Sequence, residues 1–279
     1  MAFINIFNSK YFRTMEIETL THLKSWFDTY VAHYYTGVAE HDRNIRLKED
    51  HTHRVRHNMM LLCDSLNMSP QDSLLAEAVS LFHDIGRFEQ YLKYHTFNDI
   101  TSVNHAHLGL RVLAAHRVLS EIPVAERRLL TVAIAFHNAA TLPGDMPEHA
   151  LRFMKLIRDA DKLDIWKVVT DYYQEREDNP NSTIELGLPD ASECSAAAIE
   201  ALHQEKFARV QDMKTLNDFK LLQISWVFDL NFEKSFQLLK ERRYIEQIAE
   251  TLPRLPEIRS AVDCAYRRVQ RHCAESLPI

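Results

Sequence analysis

The chain has 279 residues, of which 46% are apolar and 26% charged, the composition of an ordinary globular protein rather than a disordered or fibrous one. Five glycines and nine prolines are too few for the many tight turns of an all-β protein. A net charge of −6 offers no general attraction to nucleic acid or an acidic membrane surface, and no apolar run approaches the roughly 20 residues a membrane helix needs.

Residues 1–14 show little pattern. From there Leu20, Leu23, Phe27, Tyr30, Val31 and Tyr34 recur at three and four, which predicts an amphipathic helix packing on the histidine-rich part of the chain. Residues 39–49 are highly polar and read as a connection. Val55, Met59, Leu62 and Leu66 form the next helical stripe, which places His51 near that helix's N-terminus. Ser69 reads as an N-cap with Pro70 in the first turn. Leu74, Leu75, Ala78, Val79 and Phe82 then predict a helix apolar on more than one face, hence central, ending at His83-Asp84. Gly86 suits a helix end where positive φ is cheap.

Residues 88–101 read as a loop or short helix. Leu108 to Leu119 and Leu129 to Phe136 predict two further helices, the second delivering His137 from the core. Leu151, Met154, Ile157, Ala160 and Asp161 share one side of another. Asp178-Asn179-Pro180-Asn181-Ser182 is the expected boundary, so the expected organisation is an N-terminal helix over 1–39, a motif domain over 40–178, and a helical extension over 179–279 packed on it. Within that extension Ile199, Leu202, Phe207, Val210 and Met213 predict one helix. The aromatic run 224–232 predicts a core or lid element, and Pro253 to Pro256 a break before a final helix. The expected fold class is therefore all-α. Cys63, Cys194, Cys264 and Cys273 form no Cys-x-x-Cys pair and read as reduced, buried thiols; with no signal-peptide layout, a cytoplasmic protein is expected.

Leu81-Phe82-His83-Asp84-Ile85-Gly86-Arg87 organises the chemistry. Neighbouring helical residues diverge by about 100°, so an adjacent imidazole and carboxylate suit a two-metal centre, with His83 on one ion and Asp84 between both. Further candidates flank it: His51 before, then His105, His137 and Asp161 after. Each interval is about the length of a helix plus a connection, so separate helices can bring these side chains to one point. His53, His57, His107 and His116 read as ordinary histidines.

Over residues 40–170 the ordered set His51, His83-Asp84, His105, His137, Asp161 resembles the HD-domain superfamily of metal-dependent phosphohydrolases in its six-ligand, two-metal form. His105 is preferred to His107 because its spacing to Gly109 matches that family's His-x-x-x-Gly pattern. The resemblance implies two divalent ions (manganese, iron, zinc, nickel or magnesium). One would be held by His51, His83, Asp84 and Asp161, the other by Asp84, His105 and His137. It also implies a metal-bridging hydroxide as nucleophile toward a phosphate ester, a nucleotide among the candidates. Asp84 and Arg87 are the expected catalytic residues, and Arg87 and Lys162 the expected grips on substrate phosphate. The implied partner is a small phosphorylated molecule, with neither nucleic acid nor membrane, and self-association is left open. His137 is followed by no second histidine or Gly-Tyr-Pro, and Ile85-Gly86-Arg87 stands where (p)ppGpp hydrolases carry an acidic pair, which argues against both subfamilies. The same ligands serve the di-iron oxygenases resembling myo-inositol oxygenase, and a nucleotide-binding regulatory module is a third reading.

Overall fold

The computed structural model describes residues 14–178, 180–181 and 183–274, and every regular element among them is helical. Two compact units, Met1–Ala160 and Asp161–Ile279, divide inside one helix. The boundary expected at 178–182 lies further on, and Asn179 and Ser182 fall outside the described residues, as does the patternless segment 1–13.

The first unit holds α1 (Ile17–Ala32), α2 (Ala39–Ser65), α3 (Pro70–Phe82), α4 (Gly86–Tyr94), α5 (His105–Ala115), α6 (Val124–Phe136) and the start of α7 (Glu148–Glu175). α1 buries Leu20, Leu23, Phe27 and Val31 as the spacing requires. α3 is the central helix: every residue from Val79 to Phe82 is buried, as are Leu75, Ala76 and Ala78, and it packs on α1, α2 and α6. Its start is as expected, with the Ser69 hydroxyl accepting from the Asp72 amide at 3.1 Å and Pro70 in the first turn.

Residues 39–49 are not a connection but the opening turns of the 27-residue α2. The buried face of α2 runs through Asn44, Ile45, His51, Thr52, Val55, Asn58, Met59 and Leu62. Its first half is polar because it faces polar partners, such as the Tyr91 hydroxyl that accepts from Asn44 at 2.8 Å. Apolar periodicity therefore starts only at Val55, and His51 lies within the helix rather than near its N-terminus.

Gly86 also differs from expectation. Its φ is not positive; it opens α4, and what it needs is the absence of a side chain. A Cβ there would lie 2.2 Å from the His105 carbonyl oxygen and 2.5 Å from the Gly109 amide nitrogen. This glycine contact lets α4 and α5 meet backbone to backbone, immediately beside the His83-Asp84 turn. The segment after it, open between loop and helix in the sequence, is helical to Tyr94 and stops at His95 in the left-handed region, φ 51°.

The second unit holds the rest of α7, then α8 (Ala196–His203), α9 (Leu216–Ser225), α10 (Glu233–Glu241), α11 (Tyr244–Glu250) and α12 (Pro256–Ala274). The single helix expected across 199–213 is instead the short α8 followed by a 3-10 turn, Val210–Asp212; Glu205 leaves the helix at φ 51°. α12 packs on α8, α9, α10 and α11. All ten residues of α9 are buried, and its polar side chains find partners inside the unit except at Gln223, whose Nε2 is buried without one among the described residues. Thr215 and Asp218 form a capping box, and the Lys220 ammonium donates to the Thr251 carbonyl at 3.0 Å while lying over the Tyr173 ring. The cysteines are free thiols, Cys63 and Cys264 buried as expected, Cys194 and Cys273 only half-buried. No described helix is long and apolar enough to cross a membrane.

Candidate metal centre

Four buried imidazoles converge on one carboxylate. The α3–α4 turn supplies His83 and Asp84, α2 supplies His51, the first position of α5 supplies His105, and His137 caps the end of α6. His51 Nε2 and His83 Nε2 face each other at 3.3 Å, and His105 Nε2 and His137 Nε2 at 2.9 Å. Asp84 lies between these pairs. Its Oδ1 is 3.1 Å from His105 Nε2 and 3.7 Å from His137 Nε2; its Oδ2 is 3.5 Å from His51 Nε2 and 3.9 Å from His83 Nε2. One carboxylate thus presents one oxygen to each histidine pair.

The hydrogen bonds on the far side of the rings set their tautomers. His83 Nδ1 donates to the Ser80 carbonyl at 2.8 Å, His137 Nδ1 to the Ile134 carbonyl at 2.7 Å, and His105 Nδ1 to the Asp99 carboxylate at 2.7 Å. These acceptors require Nδ1–H, which leaves each Nε2 of these three rings with a bare lone pair aimed into the cluster. Two lone pairs 2.9 Å apart repel unless a proton or a cation lies between them. Burial pushes the His137 imidazole down to about 4, which disfavours a proton on that ring. The donor set therefore fits metal ions. Asp84, His105 and His137 each offer a ligand atom within 4.8 Å of one another, and so do His51, His83 and Asp161.

Supporting groups hold this shell. Asp99 accepts not only from His105 but also from Arg87 Nη1 at 3.0 Å, Gln90 Nε2 at 2.9 Å and Asn138 Nδ2 at 3.0 Å. Burial raises the Asp99 carboxyl, but the hydrogen bond from His105 leads the effects that outweigh it, the Arg87 charge among them, and hold the group below the usual carboxylate range. Arg158, on α7, donates from Nη1 to the carbonyls of His137 at 3.2 Å and of Ala139, closing the free carbonyl end of α6 and fixing His137. Asn58 donates to the Ala160 carbonyl at 3.2 Å and ties α2 to α7 near Asp161. Two cations flank Asp84: Lys48 Nζ is 2.9 Å from Oδ2 and Arg87 Nε 3.4 Å from Oδ1. Burial pushes the Asp84 carboxyl up, but the Lys48 and Arg87 charges lead the effects that together hold it well below the usual range.

All six expected ligands thus lie in two groups. His107, by contrast, is exposed, as are His53, His57 and His116. Arg87 is braced, its Nη1 donating to Gln90, Asp99 and the Phe97 carbonyl. Lys162 forms a 2.7 Å ion pair with Asp229. Asp159 and Asp164, which flank Asp161, are buried rather than surface groups. Lys48, Asp99, Asn138 and Arg158 belong to no motif in the sequence. Lys48 is hidden by the polar opening of α2. Its one signal is its place one turn before His51 on the face that continues to Val55.

Asp99 yields an expected outcome. Asp99→Asn keeps an acceptor for His105 Nδ1 but removes the charge that strengthens the imidazole as a ligand. Manganese affinity of the metal-free protein, followed by calorimetric titration, is expected to fall by about 10–100-fold. Unchanged affinity would show that the Asp99–His105 contact has no part in holding a metal.

No protein-family model, no curated protein and no solved structure matches this chain.

Proposed function

We propose that this chain is an HD-type metal-dependent phosphohydrolase with a two-metal centre, acting on a phosphate ester such as a nucleotide. The observation that carries the reading is Asp84 spanning two histidine pairs, Oδ1 toward His105 and His137 and Oδ2 toward His51 and His83. His51, His83, Asp84 and Asp161 would hold one ion, and Asp84, His105 and His137 the other. A donor set this rich in imidazole suits manganese, iron, zinc or nickel better than magnesium. When bound, two such ions supply Lewis-acid charge and an acidified water at near-neutral pH.

The chain's own groups prepare that site. Asp99, Ser80 and Ile134 fix ring tautomers so that lone pairs point inward, and Arg158 keeps His137 from turning away with the frayed end of α6. Lys48 and Arg87 add positive charge beside Asp84, where burial lowers the effective dielectric and strengthens attraction to a phosphoryl group.

The test is metal analysis of the purified protein, followed by anaerobic reconstitution with manganese and a screen for phosphate release from nucleotides and simple monoesters. Release that needs the divalent ion and proceeds without dioxygen is the expected result. Oxygen uptake by the iron form, with no ester hydrolysed, would replace this reading with an oxygenase.

A further inference from the structure

Lys48 is a buried-edge cation that the ligand set does not explain. Its Nζ lies 2.9 Å from Asp84 Oδ2, the oxygen turned to His51 and His83. It also sits 5.1 Å from the centroid of the Phe97 ring, and the side chain is 15% exposed. Arg87 mirrors it on the other oxygen and over the same ring, with Nε 3.4 Å from Oδ1 and the guanidinium 5.9 Å from the Phe97 centroid. The two are tethered differently. Arg87 is fixed by Gln90, Phe97 and Asp99, whereas Lys48 pairs among the described residues with the Asp84 carboxylate alone.

Oδ2 is therefore wanted twice. The oxygen that Lys48 holds is the one that would complete the His51–His83–Asp161 group, and an ammonium is a like charge to any ion placed there. Lysine carries its charge on a flexible four-carbon stem and can leave such a contact without rearranging the helix.

We propose that Lys48 is a substrate-phosphate ligand held in reserve on Asp84. In the metal-free protein it neutralises Asp84 and competes with metal. In the loaded protein Nζ is released from Oδ2 and takes an oxygen of a phosphate monoester or of inorganic phosphate. The proposal rests on the phosphohydrolase reading for the class of anion, but its test does not require turnover.

Two equilibria are measured on wild type, Lys48→Met and Lys48→Arg: manganese binding to the metal-free protein, and inorganic phosphate binding to the manganese-loaded protein. Lys48→Met is expected to bind manganese at least about fivefold tighter, because a competing like charge is gone. The loaded Lys48→Met protein is expected to bind phosphate at least about tenfold weaker, the usual loss for a charge-assisted hydrogen bond. Lys48→Arg is expected to stay within about threefold of wild type for phosphate, since it keeps a donor cation. A purely structural lysine would weaken both equilibria together, along with the melting temperature. Should Lys48→Met fail to fold, Lys48→Gln must show the same opposed shifts. Unchanged phosphate affinity in the loaded variant, weaker manganese binding, or no phosphate binding by loaded wild type would each overturn the proposal. Phosphate binding by a wild type that cleaves no ester would remove the hydrolase reading and leave Lys48 in place.

Discussion

Replacing Asp84 with asparagine is expected to reduce turnover on the order of a thousandfold, about 4 kcal/mol of lost transition-state stabilisation. The amide keeps the side chain's size but offers one weak oxygen acceptor where the carboxylate presents charged oxygens to two histidine pairs. Manganese should raise the melting temperature of wild type, because ligand binding to the folded state stabilises it, and should leave Asp84→Asn nearly unmoved. Without metal the variant is also expected to be less stable, since Lys48 and Arg87 lose the anion between them. That loss depends on pH in a definite direction. The folded Asp84 carboxyl is held below its usual value, so its contribution is complete above the unfolded-state value of about 3.9 and disappears as pH falls toward the depressed folded one. Metal analysis, thermal melts with and without manganese, and initial rates check the three parts. Wild-type metal content with wild-type turnover would remove the two-metal centre.

Gly86→Ala is the second large effect, and it acts through the backbone. The new Cβ would meet the His105 carbonyl oxygen at 2.2 Å and the Gly109 amide nitrogen at 2.5 Å, neither of which can swing aside as a side chain does. Relief requires α4 and α5 to separate, which displaces His105 from Asp84 and opens the packing behind the turn. The expected destabilisation in urea is at least about 3 kcal/mol, at the upper end for overpacking, with weakened manganese binding in whatever folds. Gly109→Ala should cost less, because its nearest neighbour is the Ile85 Cγ2 methyl at 3.0 Å with the Gly86 amide nitrogen at 3.1 Å. Gly144→Ala, with nothing within 4 Å of its Cβ, should be close to neutral. Any other order of the three would show that the α4–α5 contact is not what holds this turn.

The helices that bury hydrocarbon were legible residue by residue. Leu20, Leu23, Phe27 and Val31 on α1, the all-round apolar α3 with its Ser69-Pro70 start, and α6 leading to His137 follow from spacing and capping, which are local properties of the chain. The six candidate ligands were legible as an ordered set of histidines and aspartates, and they fall into two groups that could each hold an ion. What failed to show was a face buried against polar partners. The opening of α2 has no apolar stripe because Asn44, Lys48 and His51 face hydroxyl, carboxylate and imidazole groups. Asp99 and Arg158 were invisible for a related reason, since their partners lie on other helices and leave no periodic trace.

The sequence by itself determined an all-helical chain and which side chains could bind metal, because helix burial and ligand chemistry are both written in residue type and spacing. The tertiary structure alone decided that Asp84 lies between two histidine pairs, that Lys48 sits on one of its oxygens, and that Gly86 must lack a side chain. Each of those depends on how closely separate helices approach, a distance set by packing that no local pattern encodes.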